Sequence, residues 1–331
     1  GYAMRKLLLG TTALAAAATI SANTALADVT ISGSYEFKYL SRSSNDSTKD
    51  GTTMTSDNTM TIKFNQKTDS GLSLTYMVDF DTDAGDGSAL GVDENSITIA
   101  GGFGKLVLGQ DDDAADAYNL DEMDLIAEEP APSLHASASI GSSSSIASDD
   151  AMKVAYHLPA MGGLTAGISH TDRSAAGGTD TTSYGARYSM DAGGAAITLA
   201  YAAVQDENAT QDVDMENMGL KVVSGDISIV LSQGGHEASD EDRENQGGSI
   251  SYKMPNGMTI GAFTFKSEDD LDVGEEYSAS GAEIQYNIAS GLKATISVVD
   301  YDYKLTTANH ESADTSADSG TMTQLTIGAS F

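Results

Sequence analysis

The sequence predicts an all-β fold: a sixteen-stranded antiparallel transmembrane β-barrel with one loop folded inward. Three observations predict it. Apolar and polar residues alternate along most of the chain, the period of a strand with one apolar and one polar face. Short turns containing Gly recur at a nearly fixed interval. The segments joining the other strand ends are long and acidic, which gives the barrel a short-turn end and a long-loop end.

Along the chain, the first element is an export signal. Met4-Arg5-Lys6 is a basic start, Leu7 to Ile20 a short apolar run, and Ala25-Leu26-Ala27 a small-residue cleavage site. Residues 1–27 are assigned to this signal peptide and the residues preceding it, and 28–331 to a single barrel domain. The apolar run falls short of the ~20 residues of a spanning helix. Cleavage removes Arg5 and Lys6, leaving 15 basic against 49 acidic residues, a charge of −34 compared with −32 for all 331 residues. So acidic a chain has no face for duplex nucleic acid. The absence of Cys excludes disulfides and thiolate metal sites.

Seven turns punctuate the barrel domain: Thr68 to Gly71, Gly101 to Gly104, Pro159 to Gly163, Asp191 to Gly194, Ser224 to Asp226, Pro255 to Gly257 and Ala289 to Gly291. Gly, Asn and Asp supply the positive φ that tight hairpins require. The starts lie 33, 58, 32, 33, 31 and 34 residues apart. Seven turns join fourteen strands, and a first and a last strand bring the count to sixteen. Dividing the 304 residues after Ala27 by sixteen leaves 19 for each strand and its connection; a tilted spanning strand takes ~9–11.

Within these units Val29, Ile31, Tyr35, Phe37 and Tyr39 share one face, as do Leu72, Leu74, Tyr76, Val78 and Phe80. Tyr184 to Met190 and Ala282 to Ile288 repeat the pattern. Met258–Phe265 is apolar on both faces, which predicts a bulge or register change. Val298–Tyr301 breaks the alternation as well. Polar loops are expected over Ser41–Asp57, Asp81–Asp93 and five later segments.

A soluble sandwich also alternates. The export signal, the regular repeats, the unequal loops and Tyr35, Tyr39, Tyr188 and Tyr286 at the ends of apolar faces favour lipid outside and water inside. Sixteen strands enclose more space than side chains fill. A secreted, soluble, acidic Ca²⁺-binding β-protein is the alternative reading, and an outer-membrane barrel hydrolase a more distant one.

The 58-residue interval holds the inward loop. Strand Lys105–Gln110 ends early, and the next clear strand is Ala151–Leu158. Between them lie Asp111, Asp112, Asp113, Asp116, Asp121, Glu122, Asp124, Glu128 and Glu129. Leu120, Met123, Leu125 and Ile126 suggest a short helical turn packed against something.

Several motifs carry a family resemblance: Thr68-Asp69-Ser70-Gly71-Leu72, Gly102-Phe103-Gly104-Lys105-Leu106, the acidic run from Asp111 to Asp116, and the closing strand through Thr321, Leu325 and Ile327 to Phe331. Together they resemble the general diffusion porins of Gram-negative bacteria, most closely those of alphaproteobacteria. The resemblance implies a homotrimer in outer-membrane lipid and a water-filled channel for passive diffusion of small hydrophilic solutes and ions. It implies no required cofactor, and insertion by the outer-membrane assembly machinery with Phe331 as signal. It also implies that the loop at about 110–139 narrows each barrel and faces basic residues on the wall. The candidates here are few: Lys38, Lys63, Lys67 and Arg187, with Lys153, Lys221 and Lys293. An acid-dominated constriction with cation preference is therefore expected.

Other chemistry is sparse. Asp81, Asp83 and Asp86 alternate as in calcium loops, but the twelfth position is Val92 rather than Glu. They and the acidic runs Asp240–Glu244 and Glu268–Asp272 are candidates for weak Ca²⁺ binding. His135 and His310 each stand two residues before a Ser, and His157 and His170 fall at strand ends. No Ser sits in a Gly-x-Ser-x-Gly elbow, so no catalytic residue is assigned.

Overall fold

The computed structural model describes residues 27–331 except 85–90, 127–142, 145, 147–149, 174–177, 208–211, 240, 272–274 and 305–316, and it gives no side chains for 82–84. The signal-peptide assignment falls outside the described residues, apart from Ala27. The first eight strands are β1 (Asp28–Ser44), β2 (Gly51–Lys67), β3 (Ser73–Ala84), β4 (Gly91–Gly101), β5 (Gly104–Gln110), β6 (Met152–His157), β7 (Leu164–Thr171) and β8 (Asp180–Ala192). The second eight are β9 (Ala195–Glu207), β10 (Asp212–Ser224), β11 (Ile227–Glu237), β12 (Asp242–Lys253), β13 (Met258–Asp269), β14 (Glu276–Ala289), β15 (Leu292–Lys304) and β16 (Asp318–Ser330). Each pairs antiparallel with its chain neighbours, and β1 pairs with β16, so the ring closes. All seven short turns join the strands that the spacing assigned to them. Gly71 and Gly257 take φ of 86° and 85° in two of them, where a Cβ would be strained.

Two expectations are corrected. The strands run further than their apolar faces: β1 continues to Ser44 and β2 starts at Gly51, inside the loop expected over Ser41–Asp57. Thr52, Thr53 and Thr55 pair with β1 there, because a ladder above the lipid needs backbone partners and no apolar face. Nor is there a bulge over Met258–Phe265, since β13 stays in unbroken register with both neighbours. Phe263 and Phe265 turn inward and are buried with Tyr277, Val299, Tyr301 and Ile126. Val298–Tyr301 also keeps its pairing. The second apolar face is thus a covered lining, not a broken strand.

The outer face carries exposed Ile31, Leu199, Leu231, Ile250 and Ile296. In water so continuous an apolar surface would drive association; against lipid tails it matches its solvent. Tyr35, Tyr188 and Tyr286 are exposed on the same face.

A polar clasp closes the seam. Arg42 of β1 pairs with Asp318 of β16, and both side chains are largely buried. Arg42 Nε donates to the Tyr301 hydroxyl at 2.9 Å, which donates to Asp318 at 3.1 Å. The guanidinium also lies over the Tyr301 ring at 5.4 Å. Asp318→Ala leaves a buried guanidinium without its carboxylate, which costs about 3–5 kcal/mol. The expected outcome is a lower temperature of heat-modified electrophoretic mobility, with Asp212→Ala, at an exposed strand end, matching the parent protein.

Candidate functional site

Beyond Gln110 the chain leaves the wall and crosses the interior as a strap. It makes two 3-10 turns, Asp116–Tyr118 and Glu122–Asp124. The first lies against β8 and β9, the second against β11, β12 and β13. Asp121 caps the second turn, accepting the Met123 N–H at 2.8 Å, while Asp124 accepts the Asp121 N–H at 3.2 Å. This reciprocal box satisfies two backbone donors that a short turn leaves free.

The wall holds the strap with two kinds of residue. Anchors supply hydrogen bonds: Ser169 accepts the Ala114 N–H at 2.9 Å, Ser183 the Ala115 N–H at 3.1 Å and Asn217 the Leu120 N–H at 3.1 Å. Ser249 donates to the Glu122 carbonyl at 2.8 Å, and Arg187 donates to that of Asn119. Buried backbone groups need such partners. Room comes from glycines two residues from an anchor on the same face. Gly167, Gly185, Gly219, Gly234 and Gly247 stand beside Ser169, Ser183, Asn217, Ser232 and Ser249. Gly261 takes the end of the strap, where a Cβ would lie 2.6 Å from Ile126 Cδ1. On β9 the equivalent positions are Ala200 and Ala202, both buried.

The acids divide into two sets. Asp113 is buried against Lys153 at 3.0 Å, Asp121 is the cap, and Glu122 is fully buried. Glu122 accepts the Ser143 N–H at 3.0 Å and the hydroxyls of Ser143 and Ser232. These three carboxylates are buried, away from the channel water. Asp112, Asp116 and Asp124 are exposed, and Asp111 is half-buried with Ser96 donating to it at 2.6 Å. Glu128 and Glu129 lie outside the described residues.

The basic residues divide likewise. Lys153, Arg187 and Lys221 touch the strap, Lys221 at 3.5 Å from Asp124. Lys38, Lys63 and Lys67 lie on the inner face of β1 and β2, half the ring away from β9 and β10. Lys38 is 3.5 Å from Glu36. Lys293 is half-buried on β15.

Elsewhere, Glu94, Asp112 and Asp150 come together with carboxylate oxygens within 4.8 Å of one another. Sequence reading missed this triad because its members come from three separate segments. Asp81 is half-buried on β3; the Asp83 side chain and Asp86 lie outside the described residues. His157 accepts or donates a hydrogen bond with the Tyr118 hydroxyl at 2.8 Å, whereas His135 and His310 lie outside the described residues. The wall anchors were missed too. Their signal was present as Gly and Ser or Asn two apart on the polar face of β7, β8, β10, β11 and β12.

Burial, reinforced by the charge of Asp121 and opposed by the Ser143 hydrogen bonds, pushes the Glu122 carboxyl up to about 7. A raised carboxyl means that the ionised form is the costly one when docked. Its contribution is therefore full below the ordinary value of 4.5 and lost as pH rises through about 7. Open-channel current noise from a loosened strap should grow across neutral pH. Glu122→Gln, which keeps the shape without the charge, should give noise that does not change with pH.

Comparison with known proteins places this architecture. Residues 10–331 match the Gram-negative porin family. No curated protein matches the chain. Among solved structures, in-vitro folded OmpT of Vibrio cholerae superposes with a TM-score of 0.67 at 12% identity, covering 94% of this chain and 99% of that one. The anion-selective porin of Comamonas acidovorans gives 0.65 at 13%, covering 92% and 100%. A mutant of Rh. blastica porin gives 0.63 at 16%, with the same coverage. At these identities the structures show a shared fold, and the family match carries the rest. It sets aside the soluble and hydrolase alternatives, because the family's members are outer-membrane diffusion channels that need no cofactor. The chain belongs to the Gram-negative porin family.

Proposed function

We propose that this channel prefers cations and passes small hydrophilic solutes, with the inward strap setting the preference. The observation that carries it is the position of Asp112, Asp116 and Asp124, exposed on a strap that crosses the barrel interior. Charges in a narrow, low-dielectric frame focus the field, whereas rim charges lie in screened water. Lys38, Lys63 and Lys67 on the far wall and Lys221 beside Asp124 oppose them, so the sign rests on the balance between these acids and bases. The fold does not fix that sign, since one structural neighbour is described as anion-selective.

The same reading has three further parts. A trimer is proposed because OmpT of Vibrio cholerae is described in a trimer form. Ca²⁺ in the acidic loops is proposed with Glu94, Asp112 and Asp150 as its best-placed donors, oxygen ligands being what a hard cation takes. Recognition by the assembly machinery is proposed for Phe331, a residue 85% exposed whose backbone pairs with Gly33.

Two experiments test this. In a salt gradient across a planar bilayer, Asp112→Asn, Asp116→Asn and Asp124→Asn together should move the reversal potential toward anions. Neutralising exposed Asp50, Asp212 and Asp270 should move it less. At about 1 M salt, where the Debye length is ~3 Å, selectivity should weaken without vanishing. Equal shifts from both sets, or anion preference in the parent protein, would defeat the proposal. Separately, deleting Phe331 should lower the amount of protein assembled in the outer membrane; undiminished assembly removes its role as signal.

A further inference from the structure

We infer that the channel's size limit is set by a glycine track on the inner wall, which fixes how deeply the strap sits. This deepens the reading of the strap as the constriction. The track is continuous across the sheet where pairing is direct. Gly167 pairs with Gly185, which pairs with the buried Ala202; further round, Gly219 pairs with Ser232, which pairs with Gly247.

Each glycine touches the strap or its continuation at a different point. A Cβ on Gly185 would lie 2.7 Å from Tyr118 Cβ, and one on Gly167 2.9 Å from the Tyr118 ring. On Gly219 it would meet the Leu120 carbonyl, on Gly247 the Glu122 carboxylate and on Gly234 the Ser143 carbonyl, all inside van der Waals contact. None of these glycines has the positive φ that would demand glycine for the backbone's sake. What they supply is depth. The strap's backbone lies against the wall's backbone, and the width of a methyl group on each strand is returned to the open lumen. Two of these contacts are with strap carbonyl oxygens, which no rotamer change moves aside. A methyl group there must shift the strap toward the lumen.

The test adds single methyl groups. Gly219→Ala and Gly185→Ala should lower single-channel conductance and remove permeation of the larger members of a sugar series in liposome swelling. Gly328→Ala is the matched control. It places a Cβ on the same inner surface but only 3.5 Å from Glu36, in ordinary contact and away from the strap. It should conduct as the parent protein does. At Gly261 the obstacle is one side-chain tip, which a rotamer change moves aside, so Gly261→Ala should lower conductance less than either Gly219→Ala or Gly185→Ala. Gly185→Ala also serves where Gly219→Ala does not yield heat-resistant protein. Glycine variants that conduct like the parent, while the strap acids still move the reversal potential, overturn this inference alone. A channel indifferent to both overturns the strap as constriction.

Discussion

Everything in this molecule follows from the absence of water beside its backbone. In lipid an unpaired N–H or C=O has no partner to fall back on, so the sheet cannot have an edge. Sixteen strands pair in sequence and the first meets the last. The same requirement acts again inside. The strap crosses the interior without belonging to the sheet, and its donors and acceptors are met by Ser169, Ser183, Asn217 and Ser249 rather than by a ladder. The wall supplies hydroxyls and an amide where strand neighbours would otherwise supply carbonyls.

Placing lipid outside inverts the usual arrangement of apolar residues. Many of the exposed side chains are aliphatic or aromatic, and many of the buried ones are polar, among them Glu122, Arg243 and Asn245. A true apolar core exists, but it lies between the strap and one arc of wall. Ile126 packs with Phe263, Phe265 and Tyr277, and Leu120 with Ala200 and Val230. The channel therefore has an unequal section. Among the described residues, one arc is lined by the strap with its core behind it, and the opposite arc by wall bearing Lys38 and Lys63.

The periodic parts of this structure were legible in the sequence because period two and Gly-rich turns are local facts. All seven hairpin turns and the partition into apolar and polar faces could be read without knowing any neighbour. Two kinds of information were not local. Strand ends above the lipid lack an apolar face, so Ser41 to Ser44 looked like loop while pairing with β2 and β16. The fate of each loop acid depends on what the wall offers it. Asp112 and Asp113 are chain neighbours of one type, yet one is exposed and the other is buried against Lys153. Inward Phe263 and Phe265 read as a bulge or register change because Ile126, the strap residue packed with them, is distant in sequence.

The seam between β1 and β16 has a kinetic meaning. Fifteen of the sixteen strand pairings join neighbours along the chain, and most can form as hairpins with little loop entropy to overcome. The last joins Ser34 to Ser330, about 300 positions apart, and cannot begin until the final strand is available. Until then both terminal strands present open edges, the feature that seeds association with other chains. A partly paired barrel therefore needs its edges shielded until β16 is in place. It becomes safe in one late, long-range event, in which Arg42 meets Asp318.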